Sequence, residues 1–157
     1  MVTTRRSKIS QNQPEEACQN LEMDGAHLAR RADALHLTAL TSLTGLELWD
    51  AAGVDDAAAC ALALRLKRLQ KLNLFDCGLR SAAALPSIAT LTGLTGLWLS
   101  VSSSMPATDF PLGRDELLLL APLTKLKTLD CGCCFSRAAV DELWDEELER
   151  WRPQQQI

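Results

Sequence analysis

The chain has 157 residues, of which 47% are hydrophobic, and a formal net charge of −4. This length and apolar content suit one domain with a core of its own. The acidic balance argues against nucleic acid as the main partner, because proteins that bind phosphate backbones usually present a basic stripe.

The first 16 residues are predicted to be a disordered basic tail. Arg5, Arg6 and Lys8 are not followed by an apolar segment, so a secretory signal is not supported. A short organelle-targeting peptide is an alternative, because no acidic residue precedes Glu15. No later run approaches the roughly 20 apolar residues that cross a bilayer, so no membrane partner is expected.

A short pattern, L-x-x-L-x-L, recurs along the rest of the chain. Its copies begin at 18, 43, 69, 94 and 126, at intervals of 25, 26, 25 and 32 residues. Apolar spacing changes from three to two within each copy, which indicates a turn or helix that leads directly into a strand. One such unit cannot bury its apolar side alone, so we expect neighbouring strands to stack in parallel around a continuous leucine interior.

This repeat resembles that of leucine-rich-repeat proteins, whose units of about 20 to 29 residues have the form L-x-x-L-x-L-x-x-N/C-x-L. The ninth position holds Cys77 and Cys134 but no Asn, which is similar to the cysteine-containing intracellular subclass. Three copies depart from the motif there, with Ala26, Ala51 and Ser102. The eleventh position holds Gly53 where the motif has leucine.

The resemblance covers residues 18 to about 136. It implies an α/β fold, a leucine-rich-repeat solenoid that forms a right-handed β-α superhelix, with its domain at 17–136. About five parallel strands would line the concave face, with helices or turns on the convex face. It also implies a cytoplasmic protein, with cytoskeletal and ciliary scaffolds among the relatives of this subclass.

The segments between the strands differ in their predicted structure. Residues 55–69 are predicted to form a helix with Asp55 as its N-cap and an alanine-rich interior. Further on, Pro86 is expected to end or interrupt any helix begun at Ser81. The long fourth interval places its surplus in 100–113, where Ser, Pro and Gly indicate a loop that is either a specificity loop or a tolerated insertion.

Residues 137–152 are predicted to form one terminal helix, followed by a tail at 153–157. Its apolar positions recur at helical spacing: Val140, Leu143, Trp144, Leu148 and Trp151. Such a helix either covers the open end of the repeat stack, as terminal repeats must to stay soluble, or docks a partner.

The six cysteines do not indicate a disulfide framework, because the chain lacks a secretory signal. Cys131 and Cys134 have half the spacing of a zinc site, but no second pair completes it, so no metal and no cofactor is expected. Phosphate-cradling and nucleophile motifs are missing from the sequence. The chain is therefore predicted not to be an enzyme.

The residues between the inward leucines are expected to face outward. Trp49, Phe75 and Trp98 fall in adjacent outward columns and would form one exposed aromatic cluster, which typically marks a binding site. Acidic residues surround them: Glu22, Asp24, Glu47, Asp50, Asp76 and Asp130. This surface suits a basic or neutral protein segment. The other interpretation is that the aromatics stack on one another to stabilise the sheet.

Two functions follow from these predictions. The first is a non-catalytic protein interaction module that binds its partner on the acidic and aromatic concave surface. The alternative is a truncated structural remnant of a larger repeat protein, such as a substrate adaptor, axonemal scaffold or receptor, without a partner of its own.

Overall fold

The computed structural model describes residues 19–101, 112–131, 135, 137–145 and 150–151. Within these ranges one five-stranded sheet dominates, and every neighbouring pair in it is parallel. The strands lie side by side in chain order: β1 (Asn20–Asp24), β2 (Gly45–Trp49), β3 (Lys71–Cys77), β4 (Gly96–Val101) and β5 (Thr128–Asp130). The predicted parallel stacking is confirmed.

The strand register matches the repeat in the sequence. Leu46 lies opposite Leu72, and Leu72 lies opposite Leu97, so the second leucines of successive copies form one row. The third leucines of successive copies form a second row on the same buried face of the sheet. The first leucines of four copies, at 43, 69, 94 and 126, are also buried. One continuous cluster of buried leucine therefore runs through the stack.

Helices and short 3₁₀ turns connect the strands. The helices are α1 (Arg31–His36), α2 (Asp56–Arg65), α3 (Leu85–Ile88), α4 (Arg114–Leu118) and α5 (Arg137–Leu143). The 3₁₀ turns are Gly25–His27, Leu37–Ala39 and Ala82–Ala84. Helix α2 packs against α1 and α3, so the connections form a second layer beside the sheet.

Helix α2 begins where the sequence predicts and ends earlier. The Asp55 carboxylate accepts a hydrogen bond from the Ala58 backbone N–H at 2.9 Å, which confirms it as the N-cap. The helix ends at Arg65, and the chain turns there to bring Leu66 and Leu69 into the core. Its buried face is rich in alanine, which lets the neighbouring helical segments pack close to it.

The 3₁₀ turn that Ser81 caps ends before Pro86, as expected, but Pro86 does not interrupt a helix. A 3₁₀ turn, Ala82–Ala84, comes first, and its N-cap Ser81 accepts a hydrogen bond from the Ala83 N–H at 3.2 Å. Pro86 then lies in the first turn of α3. At that position the missing N–H costs nothing, because the first N–H groups of a helix have no partner within it.

Gly53 stands where the repeat motif has leucine, and the structure explains this difference. Its N–H donates to the Leu28 carbonyl at 2.8 Å, and a Cβ at this position would lie 2.4 Å from that oxygen and 2.4 Å from the Arg30 carbonyl carbon. Adjacent repeats therefore touch through their backbones at this turn. The buried apolar position moves one residue on, to Val54.

The predicted terminal helix is wrong beyond Leu143. Helix α5 stops there, and β6 (Trp144–Asp145) pairs in antiparallel fashion with β7 (Arg150–Trp151). The register places Trp144 opposite Trp151 and Asp145 opposite Arg150. Tryptophan prefers strands to helices, so this run forms paired strands although its apolar spacing predicts a helix.

Some predictions fall outside the described residues. These include the basic tail, the start of the first copy at 18, most of the 100–113 insertion, Cys134 and Leu148. Ser100 belongs to β4 rather than to the insertion, and it is buried. Among the helices in the described ranges, none is long and apolar enough to span a membrane.

Candidate functional site

The residues between the inward leucines lie on the sheet face that points away from the helical layer, which we call the open face. Strand register arranges them in three rows that cross the strands. The first row is Asn20, Gly45, Lys71, Gly96 and Thr128; the middle row is Glu22, Glu47, Asn73, Trp98 and Asp130; the last row is Asp24, Trp49 and Phe75. All nine residues that the sequence singled out lie in these rows or, as Asp50 and Asp76 do, directly after them.

Trp49 and Phe75 are neighbours in the last row. They occupy facing positions on adjacent parallel strands, which lie about 4.8 Å apart. Phe75 is 50% exposed and Trp49 is partly exposed, although large aromatic side chains are usually well buried. The sequence prediction that these two side chains lie together on an outward surface therefore agrees with the register.

Trp98 lies in the middle row and is turned away from the last row. A Cβ built on Gly96 would lie 2.6 Å from both Cζ3 and Cη2 of Trp98, so the indole covers the space above that glycine. Gly96 belongs to the first row, two residues before Trp98 on the same strand. The open face therefore carries an aromatic pair at one edge and a single tryptophan that leans toward the other.

Acidic residues are concentrated on the first two strands. Glu22 and Glu47 occupy facing positions on one sheet face, where like charges repel each other. Arg30 forms an ion pair with Asp33, and Arg31 forms one with Asp55, both on the helical side. These cations therefore do not neutralise the carboxylates of Glu22 and Glu47.

Asp50 and Asp76 share an uncommon backbone conformation. Their φ angles are 52° and 54°, in the left-handed region that few residues other than glycine adopt. Each follows the aromatic residue of the last row, and aspartate tolerates this conformation better than most side chains do. Sequence reasoning missed the conformation, although the signal was present as an aromatic-Asp dipeptide at the same place in two consecutive repeats.

Asp130 lies at the far side of the same face. It is exposed on β5 and faces Trp98 in the register. It is separated from Glu22 by three intervening strands, which corresponds to about 19 Å across the sheet. The structure therefore places Glu22 and Glu47 at facing positions on β1 and β2, with Asp50 directly after β2, and leaves Asp130 apart from them.

Cys77 lies behind the open face and is fully buried. Burial raises the pKa of its thiol to about 12, and the nearby carboxylates of Asp76 and Asp50 add to the effect. Its Sγ lies 3.7 Å from the carbonyl oxygens of Leu48 on β2 and Phe75 on β3, so the thiol contacts strand backbone. A thiol held neutral in this way is a structural group and not a reactive one.

The open face presents rings and carboxylates, which are groups suited to binding. Among the described residues no group of three or more His, Cys, Asp or Glu side chains is arranged to hold a metal ion. No model of a known protein family matches the sequence, and no curated protein is significantly similar to it.

Proposed function

We propose that the chain is a leucine-rich-repeat solenoid of the cysteine-containing type that binds a protein partner on its open face. One observation carries the proposal: Trp49 and Phe75 are held side by side, partly exposed, on the sheet face opposite the helices. Exposed aromatic side chains that sit next to each other are typical of interaction hot spots. In this proposal the chain has no catalytic role and no cofactor, and it acts in the cytoplasm.

The charge of the open face favours a basic or neutral segment as the ligand. Glu22, Glu47 and Asp50 give the first two strands a negative potential, and Lys71 is the basic residue of the three rows. Arginine and lysine side chains bind both carboxylates and aromatic rings. Nucleic acid is a poor candidate, because its phosphates would be repelled.

One observation favours the second candidate, a structural piece of a larger repeat protein. The ring of Trp98 covers Gly96, so at least one aromatic side chain on the open face supports the sheet. The same reasoning does not extend to Phe75, which is half exposed. Binding therefore remains the function that the geometry supports best.

The test compares capture of proteins from a cell lysate by the wild type and by the Trp49→Ala/Phe75→Ala variant. A matched control is Leu64→Ala on α2, because Leu64 is 54% exposed and is therefore about as accessible as Phe75. Circular dichroism first establishes that all three proteins are folded. We expect a protein that binds the wild type and the Leu64 variant but not the double variant. Identical capture by all three would refute binding at the open face.

A further inference from the structure

We infer that the last row of the open face recognises an arginine side chain of the partner and discriminates against lysine. The recognition group consists of Asp24, Trp49 and Phe75, with Asp50 directly after Trp49 in the chain. This inference rests on the proposed function and specifies the chemistry of its ligand. Its basis is the order of the row across β1, β2 and β3, in which a carboxylate is followed by two aromatic rings.

The register sets the spacing of this group. Asp24 faces Trp49 and Trp49 faces Phe75, so the three side chains leave the sheet at steps of about 4.8 Å across three strands. The row therefore has a carboxylate at one end and an aromatic surface that continues over two strands. A planar guanidinium is suited to such a row, because it can lie on a ring while its N–H groups reach a carboxylate at the ring edge.

Two carboxylates flank Trp49 in different directions. Asp24 lies beside it on the neighbouring strand, and Asp50 follows it in the chain with a φ of 52°. Both are exposed, and neither takes part in the ion pairs found within the described residues. The fork of an arginine side chain carries five N–H donors and can serve two acceptors at once.

The basic residue of the open face is too distant to fill this place. Lys71 is in the first row, four residues before Phe75 on the same strand, which corresponds to about 13 Å along the strand. Its neighbours are therefore Gly45 and Gly96, not the last row. The potential around Trp49 remains negative, as a cationic ligand requires.

Arginine fits this group better than lysine for geometric reasons. The lysine ammonium is a compact, strongly hydrated charge without a planar face, so it gains less from ring contact and holds its hydration water more tightly. Citrulline has the shape of arginine without the charge. Comparing the affinities for arginine, lysine and citrulline thus separates the contribution of charge to binding from that of planarity.

The experiment is a titration followed by NMR, with the indole N–H signal of Trp49 as the reporter, assigned through a Trp49→Phe variant. The probes are acetylated, amidated pentapeptides, Gly-Gly-X-Gly-Gly, in which X is arginine, lysine or citrulline. We expect the arginine peptide to shift the Trp49 signal saturably, with an affinity at least about threefold higher than that of the lysine peptide. The citrulline peptide should bind more weakly than either.

Two variants test whether the arginine side chain binds at the last row of the open face. Asp24→Asn should weaken binding of the arginine peptide and reduce its dependence on salt, because one carboxylate of the group loses its charge. Trp98→Ala is the matched control, since that indole leans toward the first row, and it should leave the affinity unchanged. Circular dichroism establishes that both variants are folded.

Three results would overturn the inference: no saturable shift with the arginine peptide, equal affinity for the arginine and lysine peptides, or loss of binding in Trp98→Ala but not in Asp24→Asn. A failure of this inference can be distinguished from a failure of the proposed function. A partner whose capture depends on Trp49 and Phe75 would keep the open face as the binding site even if lysine binds as well as arginine.

Discussion

Individual residues in this chain are constrained by how closely adjacent repeats approach each other. At Gly53 the backbone of the preceding repeat occupies the space of a side chain, and at Gly93 the nearest atom to a new Cβ, the Leu69 oxygen, is 3.4 Å away. The two glycines therefore differ in the space around them, which the sequence does not show. Of these two glycines, Gly53 has no room for a methyl group and Gly93 has.

We predict that Gly53→Ala lowers the free energy of unfolding by about 1 to 3 kcal/mol, because the new methyl group forces two backbone segments apart. Gly93→Ala is the control and should leave that free energy unchanged or raise it by about 0.4 to 1 kcal/mol through the reduced entropy of the unfolded chain. Urea unfolding followed by circular dichroism measures both. Equal effects at the two positions would contradict the close approach of the repeats.

Burial of the Cys77 thiol makes the free energy of unfolding depend on pH in the alkaline range. Burial raises the pKa of the folded thiol to about 12 from an ordinary value of 9.0, so between these values the folded protein binds more protons than the unfolded chain. Stability linked to Cys77 is thus complete below about pH 9 and falls as the pH rises toward 12.

We predict that the wild type loses about 1 kcal/mol more stability between pH 9 and pH 10 than Cys77→Ala does, since one pH unit corresponds to about 1.4 kcal/mol per proton. Urea unfolding at the two pH values measures the difference, in which the other titrating groups cancel. The same pH dependence in both proteins would show that the Cys77 thiol is accessible to solvent.

At the residue scale the sequence predicted side-chain direction better than backbone detail. Alternation of leucine with other residues was enough to place Phe75 and Trp49 in one outward row. The direction of the Trp98 ring was not predictable, because it depends on the empty space above Gly96. The left-handed φ of Asp50 likewise depends on how the turn is accommodated between neighbouring repeats.

At the scale of elements, helix α2 is joined to the preceding repeat through its N-cap. The Asp55 carboxylate accepts a hydrogen bond from the Ala58 N–H and another from Arg31 Nε at 2.7 Å. Partial burial works to raise the pKa of Asp55, but the hydrogen bonds from Arg31 and the backbone outweigh it, and the pKa is lowered. One side chain therefore caps one helix and contacts another.

We predict that Asp55→Ala lowers the free energy of unfolding by about 0.5 to 2 kcal/mol, because it removes the cap. Asp55→Asn, which retains a capping oxygen, should cost less. Because the folded pKa is the lower one, the stability that the wild type gains from the charge is present above about pH 4 and is lost as the pH falls below that value. Thermal unfolding from pH 7 to pH 3 measures the gap between the wild type and Asp55→Asn, which should close with falling pH. A gap that widens instead would contradict the lowered pKa.

The elements that the sequence misassigned lie where tertiary contacts decide between local alternatives. Pro86 has two possible roles, as the end of one helix or in the first turn of the next, and local propensity does not distinguish them. The acidic and aromatic run after Leu143 has helical spacing, yet Trp144 and Trp151 are also spaced so that a hairpin places them opposite each other. The helical spacing of the apolar residues therefore does not predict that the two strands pair.

At the scale of the whole molecule, the repeat assigns one sheet face to the core and the other to solvent. Leu97 and Trp98 are consecutive residues on β4, and Leu97 is fully buried while Trp98 is partly exposed. The same division holds on β2 and β3. Both the proposed partner surface and the arginine site depend on it, because a register shifted by one residue would exchange the two faces.

The measurement that tests this division most directly is the free energy of unfolding of Leu97→Ala and Trp98→Ala, determined side by side in urea. We expect Leu97→Ala to cost about 2 to 5 kcal/mol through the cavity that it leaves in the core. Trp98→Ala should cost less than about 1 kcal/mol, since it uncovers Gly96 without opening the interior. Equal losses, or a larger loss for Trp98→Ala, would contradict the assignment of the two faces and with it the binding surface.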